Sequence, residues 1–221
     1  MIRSPRATLA SAVANPRSLD LALVILAISA VCTAGFLMTR VGQLAALDQQ
    51  VRQLESFGIE ISDERYDALR GMMPYRAAFD AALIVVGWPI LWLLSAGVFR
   101  WVGNRTGRGH ATFAQVLTIV VHASAILAVR AVVAAPANFA RESLGGSTSL
   151  SMVMPAFGES SFPARLLGAV DIFLVWWVVL LALGLSILYQ TRAASIARWL
   201  LGAYAGGAAV LALTQALRGG L

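Results

Sequence analysis

The sequence predicts an all-α protein, a polytopic integral membrane bundle of five transmembrane helices with its N-terminus cytoplasmic and its C-terminus outside. Three observations carry this. Of the 221 residues, 59% are hydrophobic and 13% charged, with a mean hydropathy of +0.76, more apolar surface than a soluble domain can hide. Several apolar runs exceed the roughly 18 residues that read as a bilayer-spanning helix. Those runs are continuous and lack the alternation of a membrane β-strand, which favours helices over a barrel.

Residues 1–18 form a cytoplasmic interfacial segment ahead of a membrane domain over 19–221. In "SPRATLASAVANP", Ser4 is a candidate N-cap, Pro5 suits the first helical position, Leu9, Ala12 and Val13 share a face, and Pro16 ends the run. A short helix on the inner surface, with Arg3, Arg6 and Arg17 toward anionic headgroups, and a frayed tail fit equally well. The first span covers 19–39. Its apolar core is too long for a secretory signal, and no small-residue cleavage site follows. In "ISAVC", Val31 stands where a lipoprotein signal needs a small residue, so Cys32 reads as packing.

Residues 40–80 predict an outer helical hairpin. Leu44, Leu47, Val51 and Leu54 recur at spacings of three and four, which extends the first helix beyond the membrane as an amphipathic rod. In "ISDERYDALRGM", Ser62 is the N-cap of a second piece, acids fill its first turn, Arg70 its last, and Gly71 lies just beyond. The second span covers 81–99, with a kink expected at Pro89. The third covers 113–135. The loop 141–165 is rich in Gly, Ser and Pro and reads as irregular. The fourth span covers 166–189 and the fifth 196–217, where Gly202 and Gly206 have the spacing that lets helices approach closely.

Orientation rests on arginine, which supplies all 17 basic residues. With the N-terminus inside, the inner segments hold Arg3, Arg6, Arg17, Arg100, Arg105, Arg108, Arg192 and Arg198. The outer segments hold Arg40, Arg52, Arg65, Arg70, Arg76, Arg141, Arg165 and Arg218, an equal number. Density breaks the tie, because the inner segments are about half as long and positive-inside bias is strongest in short loops. The arginine-only, alanine-rich composition suits a GC-rich bacterial genome and hence the bacterial cytoplasmic (inner) membrane, crossed several times.

Two ionisable residues fall inside spans near their outer ends. Arg130 is five residues before the end of the third and Asp171 five after the start of the fourth, so both lie about 7 to 8 Å below the boundary. A charge inside a span needs a partner, which makes an Arg130–Asp171 ion pair the leading expectation, with independent snorkelling as the alternative. His122 lies near mid-membrane and invites comparison with a proton relay. No carboxylate or second histidine is expected at its depth, so a neutral ring bonded to a neighbour such as Tyr204 is preferred. Trp176 and Trp177 lie too deep for an interfacial belt and should pack between helices.

Other chemistry is thinly represented. One cysteine and two separated histidines build neither a disulfide framework nor a metal site. The scattered arginines do not form a nucleic-acid face. There is no phosphate-binding glycine loop, metalloprotease helix or Gly-x-Ser-x-Gly nucleophile, and Ser186 has no base at its depth. No cofactor and no catalytic residue is expected.

The order of features resembles the Yip1-domain family, whose bacterial members are five-span membrane proteins. The sharpest part is "LLGAVDIFLVWWVVLLALGLSILYQ", which looks like the family's fourth span: aspartate, phenylalanine two on, tryptophan, then a glycine before a short basic turn. "TFAQVL" opening the third span and the proline-bracketed "SPRATLASAVANP" are supporting matches. The resemblance implies Asp171, Phe173, Trp176 and Gly184 as structural signature residues. Eukaryotic relatives act in early secretory traffic and bind Rab GTPases, but fold does not hand over function. The expected role is therefore a non-enzymatic membrane scaffold or partner-binding protein, in contact with the bilayer and with other membrane proteins or itself. The alternative is a small transporter, channel or transporter-accessory subunit using His122 and the Arg130–Asp171 level as a polar pathway.

Overall fold

The computed structural model describes residues 4–144, 148–149 and 170–218. Seven helices follow one another among them: α1 Pro5–Ala14, α2 Leu19–Leu37, α3 Arg40–Ser56, α4 Asp63–Thr106, α5 Phe113–Ala140, α6 Ile172–Tyr189 and α7 Ala193–Arg218. Four of them, α2, α4, α5 and α6, are long and apolar enough to cross a membrane. At 26 residues α7 is also long, and it packs on α6. Residues 166–169 of the expected fourth span, and most of the loop 141–165, lie outside the described residues.

The core sits around α5, the most buried of the long helices, which packs against α2, α4 and α6. Its Val116, Ile119, Val120 and Ala123 meet Ile25 of α2, Trp92 and Ala96 of α4, and Leu181 and Leu185 of α6. By contrast, the apolar stretch of α4 turns Leu83, Val86, Ile90, Leu94 and Trp101 outward. In a bilayer such side chains need no protein partner, because lipid tails are as apolar as they are. The α1 helix does form, and its fully buried Leu9 enters the same core beside α5 and α6. The frayed-tail reading of this segment therefore fails, because the buried leucine ties the helix to the bundle.

The hairpin is built differently from the expectation in two respects. The first helix does not run on past the membrane. It stops at Met38, and Thr39 caps a new helix by accepting the Gly42 N–H at 3.0 Å while donating to the Phe36 carbonyl at 2.7 Å. The chain folds so tightly there that a Cβ on Gly42 would overlap the Phe36 carbonyl. The second difference is that the helix opened by Ser62 passes through Gly71, Pro74 and Pro89 as one 44-residue rod, roughly 66 Å long. Leu69, Met73 and Ala77 are buried against Ala45, Ala46 and Leu47 of α3 across this stretch. That packing offsets the roughly 1 kcal/mol helix cost of a glycine. Leu44, expected on the apolar stripe, is exposed, whereas Val51 and Leu54 join the cluster. Between the two helices Gly58 takes φ +75°, a left-handed conformation that glycine adopts without a Cβ penalty.

At the opposite end of the bundle, the turns between α4 and α5 and between α6 and α7 are locked together. Asn104 spans the first of them, receiving the Ala111 N–H at 2.9 Å and donating to the Ala111 carbonyl at 3.2 Å. Thr112 and Gln115 then form a capping box that starts α5. Tyr189, the last residue of α6, lays its ring on Gly103, where a Cβ would overlap it, and donates to the Phe99 carbonyl at 3.1 Å.

Candidate functional site

Asp171 is the N-cap of α6 and not, as expected, a residue several positions inside the span. One carboxylate oxygen, Oδ1, accepts the N–H groups of Phe173 at 2.8 Å and Leu174 at 3.2 Å. These are donors that a helix start leaves unpaired. The other, Oδ2, accepts from Arg130 Nε at 2.6 Å and from Thr148 Oγ1 at 2.5 Å. The backbone around it is held as well: Ile172 N–H donates to the Thr148 carbonyl, Ser149 pairs antiparallel with Asp171, and Asp171 N–H donates to the Tyr204 hydroxyl at 3.1 Å. Asp171 is only 8% exposed, so its charge is offset by Arg130 and by oriented donors.

Arg130 and Asp171 are thus brought together, but their depth differs from the simple count. The α5 helix continues to Ala140, ten residues beyond Arg130, while Asp171 stands at the very start of its helix. The ion pair joins the side of one rod to the tip of another. Thr148, which completes it, lies in a Gly- and Ser-rich stretch with no periodicity to draw attention to it. Tyr204 was expected beside His122 and instead reaches Asp171. His122 Nδ1 lies 2.8 Å from the carbonyl of Thr118 on its own helix; a carbonyl only accepts, so the bond selects the Nδ1–H tautomer.

The tryptophan pair divides. Trp177 faces α5 and donates to Ser124 Oγ at 3.2 Å, and Ser124 in turn donates to the Val120 carbonyl. Trp176 is exposed, against the expectation that both pack between helices, because consecutive residues on a helix point about 100° apart. Gly184 marks a close approach of α6 to α5, where a Cβ would overlap the Ile119 side chain. Gly202 and Gly206 touch no other described element: open space surrounds the position of a Cβ at each. Their expected close approach to another helix does not occur within the described chain, since α7 turns its other side toward α6. Pro89 is half-buried within the uninterrupted α4.

Beside the Asp171 node lies a recess of about 420 Å³ between α2, α4 and α5. Ser29, Cys32, Asp80, Trp88, Arg130 and Thr148 contribute to its wall. The Ser29 hydroxyl is buried and has no hydrogen-bond partner among the described residues. The carboxylate of Asp80 is engaged by Arg76 Nε at 3.0 and 2.9 Å, and Arg76 also reaches Gln50 of α3. Among the described residues, therefore, neither the serine nor the cysteine is arranged with a base as an activated nucleophile.

A sequence model of the Yip1 domain matches residues 1–215. The chain belongs to the Yip1 domain family. No curated protein and no solved structure matches it. The Yip1 domain extends over α1 and all four apolar helices, so the Asp171 node and the Gly184 contact both fall inside the matched region. The Yip1 family is one of membrane proteins and is not known as enzymatic. Among the described residues of this Yip1 chain, no group of three or more His, Cys, Asp or Glu side chains could hold a metal ion.

Proposed function

We propose that this Yip1-domain chain is a non-enzymatic membrane scaffold that works by binding other membrane proteins or further copies of itself. The observation that carries the reading is how Asp171 is used. Its carboxylate accepts bonds from Arg130, Thr148 and two backbone N–H groups of the same chain. A carboxylate serving a proton or ion pathway would need to exchange partners, whereas this one fixes the start of α6 against α5 and α7. In this reading the Arg130–Asp171 pair is structural, and Asp171, Phe173 and Gly184 are helix-positioning residues, with Trp176 on the outward side.

The proposed contact face is on α7, where Trp199, Gly202, Gly206, Val210 and Leu213 recur at spacings of three and four and are all exposed. Small residues on such a stripe let a second helix approach closely in lipid, where dispersion and not the hydrophobic effect drives association. The proposed topology is five spans in a bacterial inner membrane, with α7 as the fifth, residues 1–18 at the cytoplasmic face and the hairpin outside.

The test is photocrosslinking in native membranes from a reactive side chain placed at Gly206. Protein adducts, lost when Gly202 becomes leucine, are expected. Adducts to lipid alone, together with a solute flux in proteoliposomes that Asp171→Asn abolishes, would overturn the scaffold reading in favour of transport. Reporter fusions at both termini test the topology, with the N-terminus expected to be protected and the C-terminus accessible from outside.

A further inference from the structure

At the end of the bundle away from the hairpin, three arginines from three separate parts of the chain line one recess of about 930 Å³: Arg6 of α1, Arg108 of the α4–α5 turn and Arg192 of the α6–α7 turn. No acid contributes to its wall, which is completed by small, aliphatic and polar residues including Gln190, Thr191 and Ser195. The ion pairs of the described residues use Arg52, Arg76 and Arg130 and none of these three. Positive-inside bias accounts for arginines near a membrane face, but not for their convergence on one concavity. Like charges gathered without a counter-charge are a standing cost that a bound anion would relieve.

Two further features point the same way. The Thr191 hydroxyl oxygen is buried and has no hydrogen-bond partner among the described residues. The first turn of α7 opens at the recess, where the N–H groups of Ser195 and Ile196 both donate to the Arg192 carbonyl. The N–H groups ahead of them are of the kind that favours negative charge at a helix start.

The neighbouring surface indicates what the anion is attached to. An apolar groove of about 620 Å³ adjoins the basic recess and shares Thr191 and Ser195 with it. Val98, Phe99 and Val102 of α4 form one wall, and Ile196, Trp199 and Leu200 of α7 the other. A basic, hydroxyl-lined recess opening into an apolar groove between two long helices matches a molecule with a phosphate at one end and acyl chains at the other. Basic pockets between helices near a membrane face suit such headgroups. A soluble phosphate would make no use of the groove.

We infer that the chain binds one anionic phospholipid here, with its phosphodiester among Arg6, Arg108 and Arg192 and an acyl chain in the groove along Trp199. The lipid site shares Trp199 with the proposed contact face of α7 but includes neither Gly202 nor Gly206, so a loss of lipid binding and a loss of crosslinking from Gly206 are separate outcomes.

The test uses the full chain, delipidated in nonionic detergent. Its melting temperature is followed during titration with phosphatidylglycerol, phosphatidylcholine or inorganic phosphate, and native mass spectrometry counts retained lipid. Phosphatidylglycerol should raise the melting temperature and leave one molecule bound, while phosphatidylcholine and inorganic phosphate do neither. Each Arg→Gln substitution should raise the half-saturating concentration about fivefold, and the triple variant on the order of 100-fold. Trp199→Ala should weaken phosphatidylglycerol as well.

A charge-matched control, Arg17→Gln with Arg100→Gln and Arg141→Gln, should bind as the parent does. Equal loss in that control, an equal response to phosphatidylcholine, or a full response to inorganic phosphate would each overturn the assignment. Because the three recess arginines are exposed, their variants should melt within a few degrees of the parent without lipid. A variant that does not is replaced by the corresponding Arg→Lys, which should retain most of the response.

Discussion

Replacing Asp171 by alanine removes two kinds of support at once, and asparagine separates them. Alanine deletes the cap on the Phe173 and Leu174 N–H groups, worth about 1 kcal/mol. It also deletes the charged acceptor of the buried Thr148 hydroxyl, worth about 1.5 to 3 kcal/mol. The Arg130 contact adds little more, about 0.5 to 1 kcal/mol, because that side chain is 45% exposed and can turn to solvent or headgroups. The contributions share one carboxylate and do not add fully, so Asp171→Ala should cost about 3 to 4 kcal/mol. Asn caps helices about as well as Asp, so Asp171→Asn should keep the cap and cost about 1 to 2 kcal/mol. Reversible unfolding in mixed micelles, followed by tryptophan fluorescence, measures both. An Asn variant as damaged as the Ala variant would refute the capping role. A loss below about 0.5 kcal/mol in both would refute the claim that this node fixes α6.

Gly184→Ala should cost about 1 to 3 kcal/mol in the same assay, through overlap with Ile119, and Ile119→Val in the same chain should recover part of it. Gly103→Ala should cost a similar amount by displacing the Tyr189 ring, while Tyr189→Phe, which keeps the ring and loses the bond to the Phe99 carbonyl, should cost only about 0.5 to 1.5 kcal/mol. Gly202→Ala and Gly206→Ala meet open space and should leave unfolding within about 0.5 kcal/mol of the parent or slightly more stable; a larger loss would mean that another part of the chain covers them.

The apolar helices were legible in the sequence because hydrocarbon imposes its length on any segment that crosses it. Leu19–Leu37 and the Phe113 start of α5 match the expected spans to within a few residues. Element ends in the polar regions were harder, because single side chains decide them. Thr39 stops one helix and starts another, which no periodicity announces. Gly71 carries a local stop signal that tertiary packing through Leu69 and Met73 overrides. The pairing of Arg130 with Asp171 followed from the cost of a lone charge, but Thr148 and Tyr204 could not be read from spacing, since they reach Asp171 through contacts 23 and 33 residues distant in sequence. The Thr112–Gln115 capping box was present as a T-x-x-Q pattern ahead of an apolar run, a missed feature for which a local rule already existed.

The two ends of the bundle are held by different chemistry, and this bears on which helix is free to meet a partner. At the hairpin end a charge network at Asp171 joins α5, α6 and α7; at the other end shape fit of Tyr189 on Gly103 joins α6 to α4. The α2, α4, α5 and α6 helices each touch several neighbours, whereas α7 packs chiefly on α6 and adds the Tyr204 contact to Asp171. If α7 is the fifth span, as proposed, a helix with one packed side leaves most of its circumference to lipid. Exposing Trp199, which is 80% accessible, costs nothing in that solvent, and neither does exposing the Gly202–Gly206 stripe. The proposed partner helix would gain close dispersion contact there without first displacing a described helix of this chain. Association through α7 would therefore leave the Asp171 node intact, so Asp171→Asn should lower stability without lowering crosslinking from Gly206. A parallel loss of both would instead place the node within the partner-binding face.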